Sequence, residues 1–156
     1  MFAEASVTLA FPLDRVEREL TDPGQQWAAS LDGVGGADLL AAVGVRLGAI
    51  PVYKHVRLTL GSPIVHIRPG RTVLPISWQA AGGPPLFPRM DGSLEVESVD
   101  ASATRLTLKA SYDPPLGRLG ELVDRTLLNR LAAGTMNDFV VRVAERLQTL
   151  LADDRG

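Results

Sequence analysis

The sequence contains no cysteine. This absence excludes disulfide bonds, thiolate metal ligands and a cysteine nucleophile. Histidine is also scarce, since His55 and His66 are the only two. A zinc site normally needs several nitrogen or sulfur ligands at short spacing. We therefore expect no metal and interpret both histidines as surface or strand-edge residues.

Long apolar runs and an excess of charge are lacking as well. The most apolar segment, residues 39–50, is interrupted by Arg46 and is far shorter than the roughly 20 residues of a membrane-spanning helix. The formal net charge is −2, so we expect neither nucleic-acid binding nor membrane insertion. Glu4 stands where a secretory signal would carry basic residues, which favours a cytoplasmic protein.

Sequence motifs for catalysis or cofactor binding are also missing. The glycines of residues 33–36 precede an apolar segment, but they lack the Lys of a phosphate loop and the third glycine of a dinucleotide fingerprint. The serines have no evident base and orienting partner, so a nucleophilic triad is not supported. The sequence therefore predicts no catalytic residue and no cofactor.

What the chain does contain is enough apolar sequence for one ordinary domain. It has 156 residues, of which 46% are hydrophobic. A chain of this length can bury a proper core but falls short of two independent ones. We expect residues 1–156 to form a single domain.

Several segments alternate apolar and polar residues, as half-buried β-strands do. The first is residues 5–11, in which Val7, Leu9 and Phe11 share one face. The connections between the later segments are short and contain turn residues, which favours antiparallel hairpins. The later strands are predicted at residues 52–60, 64–67, 71–80, 92–99 and 104–112.

Helical signals follow the first strand. Pro12 can begin a helix that continues to Leu20, because the missing N–H of proline would be unpaired in a first turn. Asp22 and Pro23 repeat this signal and predict a second short helix reaching Leu31. Residues 37–47 predict a third helical segment.

A long helix is predicted at residues 116–153, a stretch without proline and with apolar residues at helical spacing. One of its faces carries large apolar residues at both ends but only Thr126, Asn129 and Ala133 in the middle. A core packed at native density contains few voids. The small side chains in the middle of this face therefore indicate either a close approach of the sheet or space for a ligand. Gly134 could bend the helix.

A second apolar row on this helix consists of Val123, Leu127 and Leu131. It lies to one side of the first face and only in the first half of the helix. We expect it to pack against the N-terminal helices or to form the interface of a homodimer.

The order of these elements resembles the START-like superfamily, which includes polyketide cyclases and lipid-transfer proteins. Asp22-Pro23 with Trp27, the segment 74–78 and the segment 112–120 carry the resemblance. It implies an α+β helix-grip fold, with a curved antiparallel β-sheet wrapped around a long C-terminal helix and two or three short helices after strand 1. It also implies a cavity between the sheet and that helix, in which members bind apolar molecules.

The expected cavity defines a set of candidate ligand-binding residues. Trp78 and Tyr112 share the parity of inward-facing neighbours on their strands, and each offers a polar atom that could orient a ligand. They could equally be core residues. The apolar loop 81–90 could close over the cavity, although a plain hairpin loop explains it more simply. The full set is Trp78, Tyr112, Leu122, Thr126, Asn129, Ala133 and Met136.

The sequence thus favours a protein that binds a hydrophobic or aromatic small molecule. One alternative is a cyclase or dehydratase, in which His66, Tyr112 or Asp124 would act as acid or base. A second alternative is an interaction module whose cavity is filled by its own side chains.

Overall fold

The computed structural model describes residues 2–29, 31, 39–47, 49–68, 70–81, 89–113 and 125–154. Seven strands and three helices lie within these ranges. Their bounds are β1 Phe2–Leu9, α1 Leu13–Leu20, α2 Gln26–Ala29, β2 Leu39–Leu47, β3 Ile50–Leu60, β4 Ile64–Arg68, β5 Arg71–Ala80, β6 Arg89–Asp100, β7 Ala103–Asp113 and α3 Arg125–Asp153.

The strands form one antiparallel sheet in the order β1-β7-β6-β5-β3-β2. β4 lies outside this path and pairs with the start of β5, where Ile64 is opposite Val73. α3 packs against β1 and β2, which are the two ends of the path, and against β7. A straight helix can contact both ends of one sheet only if the sheet curves around it. The predicted α+β architecture of a curved sheet gripping a C-terminal helix is therefore confirmed.

The backbones of β6 and β7 approach each other closely at one position. Gly92 lies opposite Ala110 of β7. A Cβ atom at Gly92 would lie within 2.7 Å of the Cα of Ala110 and would collide with the carbonyl oxygen of Lys109. Only glycine allows the two backbones to approach this closely.

The predicted strands from residue 52 onward are confirmed with shifts at their ends, and β5 covers residues 71–80 as expected. β1 begins and ends earlier than predicted. In place of a longer strand, the carbonyl oxygen of Phe11 accepts a hydrogen bond from the Oγ1 of Thr104 at 2.8 Å. Phe11 therefore remains tied to the sheet beyond the end of β1.

The third helix predicted at residues 37–47 is wrong, because this segment is strand β2. Leu39 pairs with Leu58 of β3, and Ala41 and Val43 are fully buried on alternate positions. Alanine and leucine are good helix formers, but helix propensity is easily overridden by tertiary contacts, and Gly44 disfavours a helix. Hairpin pairing with β3 therefore overrides local propensity. Residues 37 and 38 lie outside the described ranges.

Two short helices follow β1, as predicted, and both are anchored. α2 is shorter than expected and ends at Ala29. Before it, the side chain of Asp22 accepts a hydrogen bond from the backbone N–H of Gly24 at 3.0 Å. The indole Nε1 of the buried Trp27 donates to the carbonyl oxygen of Leu20 at 3.1 Å, at the end of α1. This bond joins the two helices.

α3 continues through Gly134 without interruption. Its predicted first part, residues 116–124, lies outside the described ranges. Arg15 of α1 donates to the carbonyl oxygen of Leu151 at 2.8 Å and so ties α1 to the last turns of α3. Within the part of the chain that the structure describes, no helix is long and apolar enough to cross a membrane.

Candidate functional site

One row of buried side chains crosses three neighbouring strands on the concave face of the sheet. Trp78 of β5 lies opposite Met90 of β6, and Met90 lies opposite Tyr112 of β7. All three share the strand parity of the core residues around them and are buried. The row therefore forms a continuous apolar floor beneath α3.

α3 touches this row at its β5 end through two aromatic rings. The centroids of Trp78 and Phe139 are 5.1 Å apart with an interplanar angle of 62°. This edge-to-face arrangement is favourable for aromatic pairs. Phe139 is completely buried, so the contact closes the space between helix and sheet at this level.

The other end of the row meets the helix through a polar contact. The hydroxyl of Tyr112 donates a hydrogen bond to the Oδ1 of Asn129 at 3.1 Å. Burial raises the pKa of the Tyr112 phenol above its ordinary value. The phenol therefore remains protonated near neutral pH and can act as the donor.

The side chains of α3 that point towards the sheet form its inward stripe. Along this stripe the residues change from exposed at the start of the helix to buried further on. A helix repeats about every 3.6 residues, so side chains about five turns apart point in the same direction. The early members of the stripe are exposed, namely Thr126, Asn129 and Ala133. Their counterparts about five turns later are buried, namely Ala144, Leu147 and Leu151. Core packing covers the second half of this stripe and leaves the first half open.

We call the exposed region beside Thr126, Asn129 and Ala133, on the side of α3 that faces the sheet, the gap. Asn129 and Phe139 are about 15 Å apart along an ideal helix. Ala133 lies between them and is exposed, whereas Met136 is buried. The gap opens around Ala133 and Asn129 and is closed where Phe139 meets Trp78.

The sequence matches no protein-family model and no curated protein. Solved structures do resemble this protein. A conserved protein from Geobacillus kaustophilus has a TM-score of 0.56 at 16% identity, with 99% of this chain and 97% of that chain covered. An aromatase/cyclase from Streptomyces has a TM-score of 0.56 at 18% identity, with coverage of 95% and 93%. Norcoclaurine synthase from Thalictrum flavum, a point mutant with a transition-state analogue, has a TM-score of 0.54 at 12% identity, with coverage of 100% and 96%.

The chain has the START-like helix-grip fold. Identities this low establish the architecture and leave the function to be argued from the site. In a helix-grip fold the concave face of the sheet and the C-terminal helix enclose the interior. The row of Trp78, Met90 and Tyr112 and the stripe of α3 are the two surfaces that face each other across it here.

The structure brings several of the predicted site residues together at this gap. Tyr112 and Asn129 are in direct contact. Trp78 and Met136 are buried, whereas Thr126 and Ala133 are exposed on the inward stripe. The last predicted residue, Leu122, lies outside the described ranges.

Sequence reasoning missed two residues of this arrangement. Phe139 lies beside the predicted helix face of Thr126, Asn129 and Ala133, and only the tertiary structure shows that it contacts Trp78. Met90 was missed because the predicted strand began at Gly92. Its parity with Leu94 and Val96 was the signal that could have found it.

Other sequence-based candidates fall into two groups. His55 is exposed, as predicted, and Asp138 pairs with Arg142 at 3.0 Å on the surface of α3. The described residues contain no cluster of three or more potential metal ligands. The remaining candidates lie outside what the structure describes, namely residues 33–36, the side chain of His66, residues 82–88, Val123, Asp124 and the side chains of Leu127 and Leu131.

A separate surface groove of about 290 Å³ lies between the end of the α2 region and the outer turns of α3. It is open and mostly polar. None of its lining residues belongs to the gap: they are Leu31, Arg142, Glu145, Arg146 and Thr149.

Proposed function

We propose that this protein binds a hydrophobic or aromatic small molecule in the gap between the sheet and the first half of α3. The observation that carries this proposal is the uncovered stripe of Thr126, Asn129 and Ala133, whose counterparts later in the helix are buried. A ligand in the gap would take the place that core side chains occupy further along α3.

The chemistry of the gap suits such a ligand. Its floor includes Met90, and its closed end is the aromatic pair of Trp78 and Phe139. Burial of apolar surface contributes about 25 cal/mol per Å², so even a two-ring aromatic molecule would gain several kcal/mol before the costs of association. Tyr112 and Asn129 supply the few polar atoms that orient ligands in mostly apolar sites.

The likeness in fold is consistent with this proposal. Two of the similar structures are, by name, an aromatase/cyclase and a norcoclaurine synthase. The fold therefore accommodates proteins that act on small molecules, although it does not specify which molecule this chain binds.

The proposal predicts that filling the gap abolishes binding. Ala133→Leu adds a larger apolar side chain at an exposed position of the inward stripe. The control Ala152→Leu makes the same change at an exposed position near the other end of α3. An anilinonaphthalene fluorophore serves as the probe, and its Kd is measured by fluorescence titration. We expect Ala133→Leu to raise the Kd roughly tenfold or more and Ala152→Leu to leave it nearly unchanged.

Circular dichroism and thermal melting of both variants would show that folding is retained. If Ala133→Leu bound the fluorophore as tightly as the unmodified protein, the gap would not be the binding site. Native mass spectrometry of the freshly purified protein would complement the titration by revealing any co-purified apolar molecule.

Acid–base catalysis on such a ligand is the second candidate, and Tyr112 is the observation that favours it. A buried phenol beside the gap could donate a proton to a bound substrate. Cyclase turnover of a polyketide-like substrate that survived Tyr112→Phe unchanged would remove Tyr112 from this role.

A further inference from the structure

The polar contact at the gap has a defined direction. Tyr112 is the donor and the carboxamide oxygen of Asn129 is the acceptor, at 3.1 Å. Tyr112 is 6% exposed, so this bond is shielded from water on the tyrosine side. In this arrangement Oδ1 of the carboxamide faces the phenol and Nδ2 points away from it.

The other end of the carboxamide is left for a different partner. An asparagine amide carries two N–H donors on Nδ2. Among the residues that the structure describes, none makes a hydrogen bond with Nδ2 of Asn129, whose side chain is exposed at the open part of the stripe. The gap therefore contains an oriented N–H donor next to its apolar floor.

We propose that Tyr112 and Asn129 together select ligands that carry a hydrogen-bond acceptor, such as a carbonyl oxygen, on an otherwise apolar body. This inference rests on the proposed function. Asn129 makes the contact through Nδ2, and Tyr112 is a positioning residue that holds the carboxamide with Nδ2 towards the ligand. A ligand without an acceptor would leave a desolvated donor unpaired, which is unfavourable.

A pair of probes with matched shape isolates this effect. Methyl naphthyl ketone and isopropenylnaphthalene have almost the same planar outline, but only the ketone carries an acceptor oxygen. One neutral hydrogen bond changes affinity by roughly 2- to 10-fold. We expect the unmodified protein to bind the ketone more tightly by about this factor, as measured by competition with the anilinonaphthalene fluorophore.

Three variants separate the roles. Asn129→Leu should remove the preference while both probes still bind, because the side chain keeps its approximate volume. Tyr112→Phe should reduce the preference without abolishing binding, since Asn129 keeps its amide but loses its orientation. Asn137→Leu makes the same substitution at another exposed asparagine of α3 and should keep the full preference.

The outcomes distinguish this inference from the proposed function. Equal affinity of the unmodified protein for both probes would overturn the selection of an acceptor but leave apolar binding intact. A preference that persisted in Asn129→Leu would also overturn it. Binding of neither probe would overturn the proposed function and this inference with it.

Discussion

At the scale of single residues, Tyr112 shows how burial converts a common side chain into a defined donor. Its strand parity turns it towards the interior, where desolvation disfavours the phenolate. The neutral phenol then holds Asn129 through one hydrogen bond. Desolvation and hydrogen bonding thus both favour the protonated state on which the proposed selectivity depends.

The raised pKa of Tyr112 predicts a loss of stability in alkaline solution. In the unfolded chain the phenol ionises near pH 10, whereas in the folded protein it stays protonated to higher pH. The stabilising contribution is therefore complete below pH 10 or so and is lost as pH rises through the folded pKa. Denaturant midpoints measured from about pH 8 to pH 11 should fall less steeply in Tyr112→Phe than in the unmodified protein. Identical slopes would show that Tyr112 is not protected from ionisation.

At the scale of elements, β6 and β7 depend on a close backbone approach at one position. The two strands pair along their whole length, and the small pair of Gly92 and Ala110 lies next to the bulky pair of Met90 and Tyr112. The glycine lets β6 approach β7 more closely than any side chain would allow. The close pairing of β6 and β7 at this position thus requires a residue without a side chain.

Gly92→Ala is therefore expected to destabilise the protein by about 1–3 kcal/mol, because the new methyl group meets backbone atoms that cannot move independently. Ser93→Ala, at the next position and on the opposite face, should change stability by less than about 0.5 kcal/mol. Urea unfolding followed by fluorescence measures both. A Gly92→Ala variant as stable as Ser93→Ala would show that β6 can shift to relieve the collision.

At the scale of the whole molecule, the two halves of α3 differ in the burial of their inward side chains. The inward stripe of the second half is buried and Arg15 of α1 binds its last turns, while the inward stripe of the first half is exposed. This division separates a stabilising core from the proposed binding region. A single helix therefore serves both purposes.

One matched pair of substitutions tests this division. Ala144 and Ala133 both lie on the inward stripe, but Ala144 is 3% exposed and Ala133 is open. Ala144→Leu should overpack the core and cost about 1–3 kcal/mol, whereas Ala133→Leu should leave stability within about 0.5 kcal/mol. Guanidinium unfolding provides both values. Equal destabilisation would mean that the stripe is packed along its whole length.

The sequence alone was sufficient to predict the elements that depend on a local pattern of residues. Residues 71–80 alternate and form β5, and the proline-free apolar spacing near the C-terminus predicts α3. Strand parity alone also places Trp78 and Tyr112 on the inner face. These predictions succeed because each depends on neighbours within a few residues.

Tertiary structure decided what those local patterns left open. Residues 39–47 form a strand because β3 pairs with them, against the helical tendency of their leucines and alanines. The helix face around Asn129 allowed either a sealed contact or a gap, because periodicity gives direction but not distance to the sheet. Only the tertiary arrangement, in which the sheet curves around the helix, determines which turns of α3 are covered.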